Sequence, residues 1–599
     1  MEPPRKACDL CYRKKIKCDG QIPRCSPCVV YNSDCTFQAA SRKTPSRKQA
    51  TTQRHLKEDA LQSRVKTLED QLSVVLEKVE RLERLSGSER DDPNPTPVSV
   101  SMDECGRAAN QASGVPHLEL PPDQEVIPII KYYLATFNSV FPLFHSGTLL
   151  QAVRSWYHDP HSRDPVLWAM INVVLALAYH TSRPGDITKT GSAETYLNNV
   201  QLVLTQVIMR ETTLMNVQIL LGMVILFWTA DDLRPALVLI ATALRLAHRL
   251  GYHNRASSKH LSQTEATQQN RVFWIAYILD RDMSLESRLA PVQLDSEIDL
   301  DLPPLESQDD HAGFIFAPDG RTKMNFFRAR IELARIQGKV YDCVYSASAQ
   351  RSSSEEKSQN ITRVFAMLNH WSSQIPSEFS ASNLSQANMP VLSRYFCILY
   401  SARLSCRALV SFASNFDSFH YSRWIGHLQD YGGKVATGQM TSSHAPVPQG
   451  WQILVEECRE YMKLSATVIP RDNFFVRRTL CAYNSGLISL TANRIFDVHC
   501  RAVELDIELT RIGMLYLEDV VRQTDRHILR HIRDSVLQLC SYADLIFKNS
   551  HEPMWSSMSL QDADPQSSFS DLLECHGITD GDSALPFDHT WAPCGPSAP

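Results

Sequence analysis

The first thirty-five residues constrain this chain more than the rest of its length does. Cys8, Cys11, Cys18, Cys25, Cys28 and Cys35 spell C-x2-C-x6-C twice, the second copy displaced by seventeen positions. Soft thiolates in C-x-x-C pairs suit a tetrahedral divalent ion, and structural zinc is the expected metal. Two tetrahedral ions need eight ligand positions, six sulfurs are supplied, and no histidine occurs before His55. Two cysteines must therefore bridge. The repeat points to the first cysteine of each half: Cys8 and Cys25 touch both ions, Cys11 and Cys18 complete one site, and Cys28 and Cys35 the other. Asp9 in one half and Ser26-Pro27 in the other stand at equivalent positions, as expected of N-caps for two short helices. So small a module depends on its metals to fold.

Between Cys11 and Cys18 runs Tyr12-Arg13-Lys14-Lys15-Ile16-Lys17, read as helix carrying four cations. On a module with little to bury, these cations are the expected working surface. The segment resembles the fungal binuclear zinc-cluster DNA-binding domain, found in transcription factors with six cysteines on two zinc ions. The resemblance implies that Lys14 and Lys15 read a CGG-type triplet in the major groove, that Arg13 and Lys17 meet phosphates, and that Pro23 turns the loop between the halves. The chemistry agrees, because lysine donates to guanine O6 and N7 and cations near phosphates release counterions. Disulfides in a secreted domain are disfavoured by the polar, basic Met1–Lys6, which is no signal segment. A zinc module for protein contacts would fit the metal but not this spacing or the lysines.

Charge is distributed to the same effect. The chain's net charge of −5 conceals a balance of +8 over residues 1–54 and −8 over 551–599, so one end suits nucleic acid and the other does not. The longest apolar runs, Val166–Tyr179 and Val217–Ala230, are shorter than the roughly 18 residues a membrane span needs, and no membrane partner is expected. The ten other cysteines, from Cys105 to Cys594, are scattered singly and read as reduced thiols.

Residues 41–54, with Arg42-Lys43 and Arg47-Lys48, read as a flexible basic linker that adds phosphate attraction and can serve nuclear import. Beyond it Leu61, Val65, Leu68, Leu72, Val75, Val79 and Leu82 step alternately by four and three, the 3.5-residue period of a coiled coil. Arg64 and Lys78 at g face Glu69 and Glu83 at e, which favours a parallel homodimer. Two zinc modules would then read two half-sites. Residues 88–122, with Asp91-Asp92-Pro93-Asn94-Pro95-Thr96-Pro97, read as a disordered spacer.

From 123 to 548 apolar residues keep helical rhythm and strand-like alternation is scarce. Ala236, Ile240, Ala243, Leu244, Ala247 and Leu250 share one face of a helix that His248, Arg249 and Gly251 bring to its end. Surface loops are expected at Arg351–Gln359, Ser377–Met389 and Ala436–Gly450. Tyr133–His145 (YLATFNSVFPLFH), Ala236–His253 (ALVLIATALRLAHRLGYH) and Arg271–Pro303 resemble, in order and separation, the fungal-specific transcription factor middle domain. The resemblance covers roughly residues 125–400 and implies an all-α regulatory domain that restrains or transmits activation and senses a metabolite.

No glycine-rich phosphate loop, nucleophile elbow or H-E-x-x-H motif argues for an enzyme. Asp231-Asp232 reads as a helix start, Asp280-Arg281-Asp282 as a surface ion pair or structural bracket, and His145, His248 and His253 as satisfied structural histidines. The acidic tail, with Phe569-Ser570-Asp571-Leu572-Leu573-Glu574, Leu585-Pro586-Phe587-Asp588 and Trp591, resembles disordered activation segments that fold onto coactivators.

The expected fold class is mainly α. It comprises a two-zinc module at 1–40, a basic linker at 41–54, a short parallel coiled coil at 55–87, a disordered spacer at 88–122, an all-α regulatory domain at 123–548 and a disordered acidic tail at 549–599. The expected function is that of a nuclear, non-enzymatic, sequence-specific transcription factor for RNA polymerase II genes. It would bind double-stranded DNA as a homodimer and activate a metabolic pathway or secondary-metabolite gene cluster. A repressor or metabolite-sensing regulator built on the same DNA-binding module is the alternative.

Overall fold

A computed structural model describes residues 7–37 and 118–551, except 160–162, 183–190, 229, 231, 307–309, 388, 414–420, 441–444, 470 and 525–526. The linker at 41–54, the coiled-coil seam from Leu61 to Leu82, the spacer up to residue 117 and the tail from 552 lie outside the described residues. The chain divides into two units, 1–114 and 115–599.

In the first unit two short helices follow the repeat, α1 (Asp9–Lys14) and α2 (Ser26–Val30). Their caps differ from expectation: Cys8 and Cys25 themselves occupy the N-cap positions, both extended (φ −66°, ψ 163° and φ −70°, ψ 153°), and Asp9 and Ser26 are the first helical residues. The metal-binding repeat and the helix-initiating repeat are thus one pattern. Nor is the basic run all helix, since α1 stops at Lys14 and Lys15 adopts the left-handed conformation (φ 55°). Among the described residues of this unit the buried side chains are Leu10 and four cysteines, which leaves them almost no apolar core.

The second unit begins before residue 123. Leu118 and Leu120 pack on its core, the Trp168 indole donates to the Glu119 carbonyl at 2.9 Å and the Tyr157 hydroxyl to that of Pro121 at 2.5 Å, so the end of the expected spacer belongs to the folded body. A first core is built by α3 (Asp123–Ala135), α4 (Pro165–Thr181), α5 (Leu214–Trp228), α6 (Arg234–Arg249) and α7 (Gln263–Ser287). Both α4 and α5 are apolar nearly all round, the mark of a fully enclosed helix. They meet so closely that a Cβ on Gly222 would lie 2.2 Å from Val173 Cγ1. Asp164 caps α4 by accepting from the Val166 N–H at 2.9 Å, and α6 ends where Gly251 turns left-handed (φ 76°).

The chain then forms a hairpin, β1 (Phe314–Phe316) and β2 (Lys323–Asn325), antiparallel with Ile315 opposite Met324. Next comes α8 (Phe326–Val344), which carries two apolar stripes. Phe327, Ile331 and Ala334 face the first core, while Phe326, Ala329, Leu333, Ile336 and Val340 face a second. That second core is completed by α9 (Ser354–Ser373), α10 (Pro390–Ala413), α11 (Tyr421–Ala436), α12 (Trp451–Ala466), α13 (Asn473–Phe496), α14 (Val503–Thr524) and α15 (His527–His551).

Two expected loops are helical. Ser353 and Glu356 form a reciprocal capping box that starts α9 inside Arg351–Gln359. Ser377–Met389 contains a turn of 3₁₀-helix and Ala381–Gln386, capped by Ser380. Asp280-Arg281-Asp282 lies within α7 and is buried, so it is a bracket and not a surface pair. Asp280 accepts the Val292 and Gln293 N–H groups at 2.9 and 3.1 Å, Arg281 donates to the Gln293 carbonyl and Asp295 at 2.7 Å each, and Asp282 accepts from Gln337 at 2.7 Å. Among the described residues no helix is long and apolar enough to cross a membrane.

Candidate metal centre and nucleic-acid face

With the cysteines at the N-caps, α1 and α2 point their first turns at each other. Two groups of four sulfurs result, Cys8/Cys11/Cys18/Cys25 and Cys8/Cys25/Cys28/Cys35, each with its sulfurs within 4.8 Å of one another. Cys8 and Cys25 belong to both. The Cys8–Cys25, Cys11–Cys25 and Cys8–Cys28 sulfurs lie 3.7, 3.7 and 3.5 Å apart. Zinc–sulfur bonds of about 2.3 Å at tetrahedral angles put neighbouring sulfurs about 3.8 Å apart, so the spacing fits the metal. A hydrogen bond from the Cys11 backbone N–H pulls the Cys8 thiol down to about 6, toward the thiolate a ligand must be. Burial pushes the Cys11, Cys25 and Cys28 thiols upward. The bare cluster therefore resists full ionisation, and a bound cation is what such a donor set requires.

Contacts not legible in the cysteine spacing close the module. Both carboxylate oxygens of Asp19 accept the Ser26 N–H at 3.2 Å, which satisfies the start of α2 and holds the Asp19 carboxyl below its usual range, with the Ser26 side chain the leading cause. The Thr36 hydroxyl donates to Asp9 at 3.0 Å and the Asp9 N–H to the Thr36 carbonyl at 2.7 Å, folding the end of the module onto α1. Arg24 pairs with Asp34 at 3.1 Å. An acid directly after the first cysteine triplet was the available signal for Asp19; its partner seven residues on was not.

Arg13, Lys14, Lys15 and Lys17 are all exposed. Lys14 Nζ sits 3.6 Å from the centre of the Tyr31 ring at the end of α2, and this cation–π contact ties the basic strip of one half to the other. Together these residues form a cationic edge beside the sulfur cluster, suited to phosphates and guanine edges.

Among the described residues the histidines of the large unit show no comparable convergence. His145 caps a helix by accepting from the Thr148 N–H at 3.3 Å, and His248 hydrogen-bonds Gln293 while its ring lies 4.6 Å from that of His253, whose Nδ1 is buried without a partner. Asp232 binds the Arg234 N–H at 3.0 Å at the start of α6, a structural task.

Residues 6–44 match the fungal Zn(2)-Cys(6) binuclear cluster domain and residues 130–373 the fungal specific transcription factor domain. In both domains the chain is thus similar to the fungal zinc-cluster transcription factors: it is a DNA-binding transcriptional regulator, and its cluster takes two zinc ions. Among its relatives is an ABC-transporter-regulating transcription factor of Aspergillus oryzae, 28% identical over 86% of this chain and 70% of its own length. A protein of the same description from Aspergillus fumigatus is 26% identical over 91% of this chain and 73% of its own. The fusaridione A cluster transcription factor fsdR of Fusarium heterosporum is 26% identical over 37% and 42%.

Proposed function

We propose that this regulator acts in the nucleus as a homodimer that reads paired CGG-type triplets and activates its target genes. The observation that carries the reading is the cationic edge of α1 beside the sulfur cluster. Cys8, Cys11, Cys18 and Cys25 would hold one zinc ion and Cys8, Cys25, Cys28 and Cys35 the other. The ions would supply a fixed charge and a rigid frame; the chain's own residues do the reading. Lys14, steadied by Tyr31, and Lys15, at the turn that ends α1, donate to guanine edges, while Arg13 and Lys17 anchor the flanking phosphates. The seam from Leu61 to Leu82 joins two copies, and the acidic tail recruits coactivators. The transporter regulators align over most of this chain, whereas the gene-cluster regulator aligns over little more than a third, which favours transporter genes as targets. Genome-wide mapping of bound sites, paired with transcript levels after deletion, tests all of this. Paired CGG triplets upstream of genes whose transcripts fall are the expected result. Bound genes that rise on deletion would make the protein a repressor.

A further inference from the structure

A cavity of about 160 Å³ lies where α5 and α7 meet α10, α13 and α15. That is room for one six-membered ring, since an apolar cavity of about 150 Å³ admits benzene. Trp228, Leu285, Ala408, Leu409, Phe412 and Ile532 make much of its wall apolar. Glu286 and Cys481 face into it, being accessible to water although both are deeply embedded in protein.

One polar group in the wall does nothing for the fold. Asn484, on α13, is 5% exposed and lines the cavity, yet its amide oxygen has no hydrogen-bond partner among the described residues. A buried acceptor left unpaired destabilises the chain that carries it, and leucine would fill a similar volume without that penalty. The charged groups of the wall are, by contrast, already answered. Asp282 accepts from Gln337 at 2.7 Å and from Arg478 at 3.4 Å, and Glu286 accepts from the Trp228 indole at 2.6 Å. Arg477 has the Glu286 carboxylate as an electrostatic partner, Arg478 lies 3.2 Å from the centre of the Trp228 ring, and Arg288 lies 5.8 Å from that of Tyr345. An ion entering the cavity would compete with these pairs, whereas a neutral molecule leaves them intact.

We propose that this cavity binds a small uncharged molecule with a single ring and one hydroxyl, the ring in the apolar part of the cavity and the hydroxyl donating to the Asn484 amide oxygen. The site is independent of the DNA-binding reading and holds whether the protein activates or represses. Because helices from both cores form the wall, an occupant joins them and stabilises the fold by mass action.

The test is a fluorine NMR titration of the full-length protein at neutral pH with 4-fluorobenzyl alcohol, 4-fluorotoluene, 4-fluorobenzoate and 4-fluorobenzylamine, which share a ring and differ in the polar group. The alcohol is expected to bind at one per chain, the toluene about tenfold more weakly, and the two ions not measurably. Ser405→Phe, which fills the cavity, should abolish binding of the alcohol. Asn484→Leu should bring the alcohol down about tenfold, to the affinity of the toluene, while the toluene binds at least as well as before. Circular dichroism and the unfolding midpoint confirm that each variant is folded; should Ser405→Phe or Asn484→Leu fail to fold, the ligand series on the parent and the remaining variant decide. No binding of the alcohol, equal affinity for alcohol and toluene in the parent, tighter binding of either ion, or an unchanged preference for the alcohol in Asn484→Leu would each overturn the proposal.

Discussion

The sulfurs of Cys8 and Cys25 lie 3.7 Å apart and belong to both four-sulfur groups, while each of the other four cysteines belongs to one. Losing a shared sulfur should damage both sites, and losing an unshared one should damage one. Cys8→Ser or Cys25→Ser is expected to release both zinc ions and Cys18→Ser or Cys35→Ser to release one first, as metal content after graded chelation will report. One ion lost from Cys25→Ser with the second fully retained would exclude bridging.

Lys15 joins two roles, since it presents a cation and adopts the left-handed turn that ends α1. Glycine keeps the turn and removes the cation. Lys15→Gly and Lys14→Ala should each weaken specific DNA binding by about 1 to 3 kcal/mol per lost base contact. Zinc content should stay at its parent value. Gel-shift titration on CGG-containing duplexes measures the first, and parental affinity there would remove these lysines from the recognition surface.

Asp506 is wholly buried, accepts Arg459 Nε and Nη2 at 2.7 and 2.9 Å, and takes the Asn493 amide at 3.0 Å. Asp506→Ala leaves the Arg459 guanidinium with only the exposed Glu456, 2.9 Å away, as counter-charge and should destabilise the protein by about 3 to 5 kcal/mol. Urea unfolding followed by fluorescence measures this. Pairing Asp506→Leu with Arg459→Met should recover much of the loss, and a double variant no better than the single would argue against the charge as its source.

His180, near the end of α4, meets the Phe474 ring edge-on at 5.7 Å, and burial lowers its pKa from 6.5 to about 4. Between those values the unfolded chain holds the proton and the folded chain does not. Stability is thus complete above about 6.5 and falls as acid approaches 4, by up to about 3 kcal/mol. His180→Gln should flatten that slope, and an unchanged slope in unfolding curves from pH 7 to 5 would assign it to other groups.

What could be read from sequence was whatever depends on near neighbours. The end of α6 at Gly251 follows from one residue's backbone freedom, and the sulfur arithmetic follows from spacing alone. The start of α9 was written as Ser353-x-x-Glu356, yet the surrounding polarity argued for a loop, because a helix that lies on the surface needs only a narrow apolar stripe. Asp280-Arg281-Asp282 was opaque for another reason. Charges at neighbouring positions usually face water, and only partners at Val292, Gln293 and Gln337, brought in by the fold, make burial tolerable. Asp19 and Tyr31 were missed in the same way, their roles resting on residues from the other half of the module.

The two stripes of α8 set how this protein can be shortened. The fungal specific transcription factor match closes at residue 373, but Phe474, on α13, belongs to the first core, and Arg394 on α10 pairs with Asp472 at 2.8 Å just before that helix. A premature stop codon within α9 would remove the α10 helix that, with α9, covers one side of α8, and would bare Phe326, Leu333 and Val340. Such an allele should yield a product cleared by proteolysis rather than a freed DNA-binding fragment, and genetically it should behave as a null.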